Sequence, residues 1–365
     1  MTRAAADATT GRLRVAVVAP SLSILGGQAV QADRLLRCWA NDPEVEAWLV
    51  PVNPRPPAPL HLATRIKYLR TMVTELTYGP LLVRELRRAD VVHVFSASYT
   101  SFLLAPLPAI GIARALGKPV LVNYRSGEAP DHLARSGIAR RTLASVPCNV
   151  VPSQFLADVF GRFGISSRII PNLVDLDRFA FRVRDPLQPR LLSTRNLEPL
   201  YNVGCTLRAF RLIQDAVPEA TLTLVGSGSD DAALRTLAAD LGLHGVTFAG
   251  RVPPEDIPTF YAAHDIYVQS PNIDNMPTSI LEAYASGLPV VSTDAGGIAV
   301  MLSHGVHGLL APLDDHAGVA SHVLRLLNEP ALAARLTAAA HGACGQYTWS
   351  AVRPQWLGLY TELAC

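Results

Sequence analysis

The sequence lacks the features that mark membrane, disulfide-rich and disordered proteins. Its apolar runs, such as residues 15–20 and 91–95, have the length of a strand and fall far short of the ~20 residues of a membrane-spanning helix. The five cysteines form no CxxC pair, which is typical of reduced thiols in a reducing compartment. Hydrophobic residues make up 49% of the chain and charged residues 17%, so the chain can bury large cores.

Positive charge is concentrated in the first half of the chain, although the net charge is only +2. Residues 1–180 contain 21 Lys and Arg against 13 Asp and Glu, whereas residues 181–365 contain 11 against 17. A basic half can contact an anionic membrane face or an acidic acceptor, and it can equally be an ordinary solvated surface. The basic residues are not interleaved with stacking aromatics, so we expect no nucleic-acid partner.

By its composition, the N-terminal segment is not expected to be a secretion signal. Residues 1–11 are rich in Ala and Thr, and no apolar signal region follows them. We interpret them as a loose tail and expect a cytoplasmic protein that can attach peripherally to the inner face of the membrane.

Short runs of Val, Ile and Leu alternate with longer stretches of helical period, and this alternation occurs twice. Apolar strands separated by helices predict a parallel sheet covered on both faces. Two such sets therefore predict an α/β fold with two doubly wound, Rossmann-like domains. The strands are predicted at residues 14–19, 45–50, 91–95, 120–123, 149–151 and 168–170, and then at residues 190–193, 221–225, 246–249, 266–269, 290–292 and 308–311.

The domains are predicted at residues 12–181 and 189–346, followed by a closing helix over residues 347–365. The stretch FRVRDPLQP between them has two prolines, three charges and no periodic pattern, which is typical of a linker. Ligands of open parallel sheets bind beyond the carboxyl ends of the strands. Two such domains predict a ligand cleft between their facing edges.

The most informative stretch is SPNIDNMPTSILEAYASGLPVVSTDAGG, residues 270–297. It predicts a loop that leads into a helix at Thr278, with Pro277 near the first turn, where its missing N–H is tolerated. A helix N-terminus offers unsatisfied N–H groups and a partial positive charge, which suit a diphosphate. Asp274 and Glu282 lie on either side of this helix start and could each hold the hydroxyls of one sugar ring. Alternatively, Asp274 caps the helix and Glu282 satisfies a buried neighbour.

These residues resemble the signature of the GT4 family of retaining glycosyltransferases, which have two Rossmann-like domains in the arrangement called GT-B. The family typically shows Glu-x7-Glu followed by LEAMAxGxPVV, and this chain has Asp274-x7-Glu282 followed by AYASGLPVV. The resemblance covers essentially the whole chain. Further likenesses occur in the family's order at Gly26 and Gly27 and at residues 91–93, 151–155, 170–175 and 224–228.

The resemblance implies a role for each matched residue. Glu282 would bind the ribose hydroxyls of a nucleotide-diphosphate sugar, Asp274 the hydroxyls of the donor sugar, and Arg195 the diphosphate. Gly26 and Gly27 would close over phosphate or acceptor. The other donor-binding residues would surround the phosphates and the base: Asn275, Met276, Pro277, Thr278, Gly226, Gly228, Arg251 and Val252.

Two positions depart from the family pattern. The lysine expected about six residues after Arg195 is absent, and Tyr201 and Asn202 stand nearby instead. The family histidine of the first domain aligns with Arg125, whose permanent charge and fork of donors could supply the missing phosphate charge. His93 ends a predicted strand, and a catalytic role and a hydrogen-bonded place in the core are equally good interpretations of it.

The implied function is transfer of a sugar, with retention at the anomeric carbon, from a nucleotide-diphosphate donor to an acceptor. We expect a UDP-linked donor and a glycan, lipid-linked or small-molecule acceptor, chosen by the loops at residues 51–67 and 129–141. No cofactor or metal is expected, because the acidic pair Asp175 and Asp177 lies in a turn typical of the family.

Three other classes of protein are alternatives to this interpretation. A nicotinamide dehydrogenase is disfavoured because GxGxxG does not follow the first strand. The flanks of residues 274–282 disfavour an epimerase or an inverting transferase. A non-catalytic protein that binds sugar nucleotides stays open, because the phosphate-binding lysine is absent.

Overall fold

The computed structural model describes residues 11–23, 26–54 and 67–365, and gives only the backbone of residues 67–73. The chain divides into two compact units. The first unit holds the described residues up to Val151, together with Ala157–Ile170 and Arg353–Cys365. The second unit holds Pro152–Leu156 and Pro171–Val352. Part of the predicted acceptor loop at residues 51–67 lies outside the described residues.

The first unit is built on a parallel sheet. Its strands are β1 (Leu13–Ala19), β2 (Val45–Pro51), β3 (Val91–Ser96), β4 (Val120–Tyr124), β5 (Cys148–Val151) and β6 (Arg168–Ile169). Within the described residues the sheet has the order β2-β1-β3-β4-β5-β6, with every pairing parallel. Residues 91–96 of β3 are fully buried on both faces, as expected of an apolar strand inside a layered α/β domain.

The second unit repeats this plan. Its strands are β7 (Arg190–Ser193), β8 (Thr221–Val225), β9 (Val246–Gly250), β10 (Ile266–Val268), β11 (Val290–Thr293) and β12 (Leu309–Ala311). Its strands are ordered β12-β11-β10-β7-β8-β9 and are also parallel. Because β10 lies beside β7, the loops that follow these two strands start from neighbouring points on the carboxyl edge of the sheet.

Helices connect the strands in both units. In chain order they are α1 (Gly27–Trp39), α2 (Lys67–Leu86), α3 (Tyr99–Leu104), α4 (Pro106–Ala115), α5 (Ala129–Arg135), α6 (Gly137–Ser145), α7 (Gln154–Arg162), α8 (Val203–Ala216), α9 (Asp231–Asp240), α10 (Ile257–Ala263), α11 (Thr278–Ser286), α12 (Ile298–Met301), α13 (His316–Asn328), α14 (Pro330–Ala343) and α15 (Trp349–Ala364). The two predicted parallel sheets are confirmed, and each predicted strand agrees with the observed one to within one residue at either end.

The boundary between the units lies before the predicted linker. After Ile170 the chain lies in the second unit as far as Val352, and Asn172 Nδ2 donates a hydrogen bond to Met276 O at 2.6 Å. Val174 and Phe179 are buried in the apolar core of that unit. The sequence pattern did not predict this boundary, because the segment has no regular period. Its apolar side chains nevertheless pack in the core of the second unit.

Arg184 fixes the stretch predicted as a linker to the second unit. Its side chain is only 1% exposed, and Asp265 lies 3.7 Å away. Burial lowers the pKa of Arg184 to about 10, so the side chain stays charged at neutral pH. Its guanidinium donates hydrogen bonds to the backbone carbonyls of Tyr261, Arg182, His264, Ser286 and Gly287.

The predicted closing helix is α15, and its residues from Arg353 onward belong to the first unit. Trp356 and Tyr360 are buried there, and the Trp356 ring stacks on His93 with a centroid distance of 4.7 Å. Arg353 pairs with the buried carboxylate of Asp42 at 2.6 Å. The apolar spacing of this helix therefore reflects a place in the core of the first unit.

Two glycines that end helices test how closely the segment around Arg182 packs on the second unit. Gly287 and Gly242 both have positive φ, +75° and +61°. A Cβ on Gly287 would lie 2.6 Å from Arg182 O, whereas one on Gly242 would meet no described atom within 4 Å. Gly242→Ala should cost about 1–2 kcal/mol of unfolding free energy, the ordinary penalty of a left-handed alanine, and Gly287→Ala about 1–3 kcal/mol more because of the clash.

Urea unfolding of both variants measures this difference. Equal losses of stability would mean that residues near Arg182 do not pack against the end of α11.

Candidate functional site

The start of α11 is the centre of the candidate site in the second unit. After β10 the chain forms a loop, and the helix begins at Thr278 with Pro277 as its N-cap residue. No side chain caps this end, and the first turn contains no acidic residue. Its partial positive charge is therefore not neutralised from within the helix, which suits an anionic ligand.

A buried ion pair lies beside this helix start. Arg195 Nη2 donates to Asp274 Oδ2 at 2.5 Å, and the two side chains are only 10% and 13% exposed. The guanidinium also stacks over the ring of Tyr201, 4.0 Å from its centroid, and Nη1 lies 3.3 Å from Ser279 Oγ. Arg195 follows β7 and Asp274 follows β10, so the neighbouring strands bring the pair together.

The environment of Asp274 differs from that of a helix cap. Its Oδ1 accepts the backbone N–H of Asn275 at 2.8 Å, and its other oxygen accepts from Arg195. Burial raises the pKa of Asp274 above its ordinary value, against the opposing pull of Arg195 and this amide. Asp274 is thus a partner of the cation, and the alternative of a simple N-cap does not describe it.

Glu282 lies inside α11 and is 7% exposed. The hydroxyl of Tyr261 lies 3.1 Å from Glu282 Oε2 and 3.1 Å from Ser279 O. Thr194 Oγ1 is 2.7 Å from the same hydroxyl. A hydrogen bond to a carboxylate is the strongest of the three that the Tyr261 hydroxyl could donate, so Glu282 is held in place by a neighbour that sequence reasoning did not identify.

The glycine turn after β8 packs against the backbone that carries Arg195. Gly226 has φ +146°, and a Cβ there would lie 2.3 Å from Arg195 O. A Cβ on Gly228 would lie 2.1 Å from Leu197 O. Glu198 completes the contact, because its Oε2 accepts the hydroxyl of Ser229 at 2.7 Å. These glycines are needed by the protein's own packing, which fixes the position of the Arg195 loop.

The loop before α11 is fixed in the same way. A Cβ on Gly296 would lie 2.3 Å from Asp274 O, and one on Gly297 would lie 2.2 Å from Asn275 O. The Asn275 side chain accepts a hydrogen bond from Ser153 Oγ. Its Nδ2 is buried and has no partner among the described residues, so a donor remains for a ligand.

The remaining predicted residues of the second unit follow β10 and β9, which are separated in the sheet by β7 and β8. Met276 and Pro277 are buried, and Thr278 is half-buried. Arg251 follows β9 and is exposed, whereas Val252 packs against the apolar core. Sequence reasoning missed Tyr261, Thr194 and Ser153, of which only Ser153 lay in a recognised motif.

In the first unit, Gly26 and Gly27 open helix α1. Gly26 is the N-cap residue with φ −174°, a value that any residue adopts, and no side chain caps the helix. A Cβ on either glycine would meet no described atom within 4 Å. Packing among the described residues therefore does not explain the glycines, and the space they leave suits the close approach of a ligand.

His93 lies in the middle of β3, not at the end of a strand as predicted, and it is fully buried. Its Nδ1 lies 2.8 Å from the Tyr360 hydroxyl and its Nε2 lies 2.9 Å from Asn123 Nδ2. Both ring nitrogens are engaged, so the geometry favours the interpretation of a hydrogen-bonded core histidine over a residue that touches substrate.

Arg125 follows β4 and is half-buried. Its Nε donates to Asn123 Oδ1 at 2.9 Å, and its guanidinium carbon lies 5.4 Å from the centroid of the Phe95 ring. Nη1 is buried and has no partner among the described residues. Burial lowers the pKa of Arg125 to about 9, so it stays protonated at neutral pH.

The described residues contain neither a candidate metal cluster nor a helix that could span a membrane. Among residues 11–23, 26–54 and 67–365, no three His, Cys, Asp or Glu side chains gather so that they could hold a metal ion. The helices of the same described part of the chain are too short or too polar to span a membrane. Independence from metal remains a prediction.

Two family models match this chain in tandem. The model described as "Glycosyltransferase Family 4" matches residues 25–178, and the one described as "Glycosyl transferases group 1" matches residues 178–342. The chain belongs to the GT4 family of glycosyltransferases. Its two parallel-sheet domains are those of the GT-B fold, as the resemblance implied.

Relatives of known name include the phosphatidyl-myo-inositol mannosyltransferase of Mycolicibacterium smegmatis, 24% identical over 96% of this chain and 94% of that protein. The amylovoran biosynthesis glycosyltransferase AmsK of Erwinia amylovora is 32% identical over 42% of this chain and 40% of its own length. This chain also spans only 32% of an exopolysaccharide phosphotransferase of Streptomyces coelicolor, with 27% identity over 83% of this chain.

Solved structures share the fold at low identity. The HepE protein of Anabaena in complex with UDP-glucose has a TM-score of 0.76 and 17% identity, over 96% of this chain and 100% of that one. Sucrose-phosphate synthase of Thermosynechococcus elongatus has a TM-score of 0.75 and 20% identity, over 96% and 99%.

The Arg195–Asp274 pair predicts strong coupling in the stability of the glycosyltransferase. Asp274→Asn leaves a buried cation without its counter-ion and should cost about 3–5 kcal/mol of unfolding free energy. The double variant Arg195→Met/Asp274→Asn should cost less than the sum of the two single changes. Chemical unfolding of the protein without added ligand, followed by circular dichroism, measures all four species.

The surface pair Arg325 and Glu329, with 47% and 48% exposed side chains at 3.0 Å, is the matched control. Its cycle of Arg325→Met and Glu329→Gln should show only about 0.2–1 kcal/mol of coupling. Additive effects at Arg195 and Asp274 would contradict the buried ion pair.

Proposed function

We propose that this GT4 glycosyltransferase moves a hexosyl group from a UDP-linked sugar, with retention at the anomeric carbon, to a glycan, lipid-linked or small-molecule acceptor. The observation that carries the proposal is the buried Arg195–Asp274 pair beside the uncapped start of α11. A cation, oriented N–H groups and carboxylates of fixed position together match the phosphates and hydroxyls of a sugar nucleotide.

The donor would lie along the carboxyl edge of the second sheet. Its ribose hydroxyls would bond to Glu282, and its diphosphate would meet Arg195 and the backbone around Asn275, Met276 and Thr278. The sugar would reach Asp274, and the base would lie near Gly226, Gly228, Arg251 and Val252. A fold neighbour determined in complex with UDP-glucose supports the choice of UDP.

The proposed transfer requires the protein to stabilise the leaving group. Departure of the nucleoside diphosphate leaves negative charge on its terminal phosphate, and Arg195 with the α11 N-terminus would stabilise that charge. In the first unit, Nη1 of Arg125 is buried and has no partner among the described residues, and we expect it to bind an anionic oxygen of a phosphorylated substrate. These protein groups supply the positive charge themselves, so we expect the reaction to proceed without metal.

The proposed retention does not use a covalent intermediate on either carboxylate. A double displacement needs a free carboxylate nucleophile about 5 Å from an acid. Asp274 is bonded to Arg195, and Glu282 is buried and bonded to Tyr261. With the retention that the family resemblance implies, this supports attack of the acceptor on the same face that the leaving group departs from, with the departing phosphate accepting the acceptor's proton.

The observations support a chemical class of acceptor, not one particular acceptor molecule. A relative that is named as a phosphatidyl-myo-inositol mannosyltransferase acts on a lipid, and residues 1–180 carry a surplus of basic residues. Both fit a lipid-linked acceptor and a cytoplasmic enzyme attached peripherally to the inner membrane face.

The second candidate is a protein that binds sugar nucleotides without transferring the sugar. The observation in its favour is Tyr201 stacked on Arg195 where a second cation would be expected. Turnover separates the two candidates, because only the transferase releases nucleoside diphosphate when donor and acceptor are supplied.

The donor site is tested by thermal unfolding with UDP-, GDP-, ADP- and TDP-sugars. One nucleotide class should raise the Tm of the wild type, since a ligand at 100 times its Kd adds about 2.7 kcal/mol of stability. Glu282→Gln should abolish this increase, because the amide replaces one of the two acceptor oxygens of the carboxylate with an N–H donor. Glu329→Gln, on the surface of the same unit, should retain it.

Release of nucleoside diphosphate by the wild type is measured in the same preparations. No stabilisation by any of the four classes, or an undiminished increase in Glu282→Gln, would overturn the proposed donor site. Stabilisation without turnover on any acceptor class would favour the binding protein.

A further inference from the structure

A chain of hydrogen bonds in the first unit leads from helix α15 to Arg125. The Tyr360 hydroxyl lies 2.8 Å from His93 Nδ1. His93 Nε2 lies 2.9 Å from Asn123 Nδ2, and Asn123 Oδ1 accepts from Arg125 Nε at 2.9 Å. His93, Asn123 and Tyr360 are fully buried, so these bonds do not compete with water.

Only one arrangement of protons satisfies all of these contacts. Arginine has donors alone, so the oxygen of Asn123 must face Arg125 and its amide N–H groups must face His93. His93 Nε2 must then accept, which places the ring proton on Nδ1 and makes the Tyr360 hydroxyl an acceptor. Burial, followed by the charge of Arg125, lowers the pKa of His93 well below its ordinary value, which keeps the ring neutral.

Aromatic rings pack on both sides of His93, in the middle of this chain of hydrogen bonds. The His93 ring is stacked between Phe95, at a centroid distance of 4.9 Å, and Trp356, at 4.7 Å. Phe95 lies opposite Asn123 in the pairing of β3 with β4, and its ring also faces the guanidinium of Arg125. The chain of hydrogen bonds therefore restrains the Nε edge of that guanidinium, and the Phe95 ring restrains one of its faces.

The restrained guanidinium still has bonding capacity. Its Nη1 is buried and unpaired among the described residues, and a buried donor without a partner costs about 1–3 kcal/mol. A donor held in this way gains a partner when an anionic oxygen of a substrate arrives.

We propose that Tyr360, His93 and Asn123 are positioning residues, which orient Arg125 so that Nη1 meets an anionic phosphate oxygen during transfer. This inference rests on the proposed function, because it requires Arg125 to act on a phosphorylated substrate. It assigns to His93 a role through Arg125 in place of direct contact with substrate.

The test is a double-mutant cycle in kcat, with Tyr360→Phe and His93→Phe measured in the wild-type and Arg125→Ala backgrounds. Each change keeps an aromatic ring in the stack and removes hydrogen bonds of the chain. In the wild type Tyr360→Phe should lower kcat about 3–10-fold, the equivalent of one net hydrogen bond, and His93→Phe by at least as much. In Arg125→Ala neither should have a further effect.

Tyr78→Phe is the matched control. Tyr78 is buried in the same unit, and its hydroxyl donates to Ala105 O at 3.1 Å. Removing that hydroxyl should affect stability about as much as Tyr360→Phe and leave kcat unchanged. If Tyr360→Phe and His93→Phe lower kcat equally in both backgrounds, the chain does not act through Arg125 and the inference is wrong.

Failure of the proposed function would be visible separately. A wild type without turnover overturns the transferase, and unchanged kcat and donor affinity in Arg125→Ala overturn the role of Arg125 together with this inference.

NMR of wild-type protein labelled with ¹⁵N-histidine tests the chain of hydrogen bonds directly. This measurement does not depend on whether the variants fold. The ring of His93 should be neutral with its proton on Nδ1 between about pH 6 and pH 8, because burial disfavours its charged form. A proton on Nε2 would be incompatible with the bond from Asn123 and would overturn the inference.

Discussion

The buried pair of Arg195 and Asp274 is the constraint on which the site of the second unit depends. Two charges with so little exposure are stable only when each satisfies the other, since desolvation of either alone is costly. Their contact at 2.5 Å requires the loops after β7 and β10 to stay in register. The glycines that admit close backbone approach, at positions 226, 228, 296 and 297, maintain that register. The local fold thus serves to hold one cation beside the start of α11.

The same pair gives a physical account of how a donor would be received. Asp274 keeps Arg195 oriented and desolvated, and a diphosphate can then share or replace that carboxylate without first stripping water from the guanidinium. The family's second phosphate cation is absent, and Tyr201 instead stacks on Arg195. In the first unit, Arg125 is held by Asn123 and by the face of Phe95.

Features that depend on neighbouring residues could be predicted from the sequence, whereas features that depend on contacts between distant residues could not. The strands, and the helix start at Thr278, follow from apolar runs and local backbone rules, and they agree with the structure. The unit boundary at Pro171 and the place of α15 in the first unit do not follow from such local rules. Each depends on which of the two cores an apolar side chain packs into. Tyr261 and Glu282, or His93 and Tyr360, meet only in the folded chain, so no spacing in the sequence reveals them.

The claim that α11 and Arg195 form the diphosphate site is tested most directly by a crystal structure of the protein with UDP. We expect phosphate oxygens about 2.7–3.1 Å from the Arg195 guanidinium and from backbone N–H groups at residues 276–278, the range of good hydrogen bonds, and the ribose hydroxyls on Glu282. A diphosphate bound elsewhere, with Arg195 still paired only to Asp274, would contradict it.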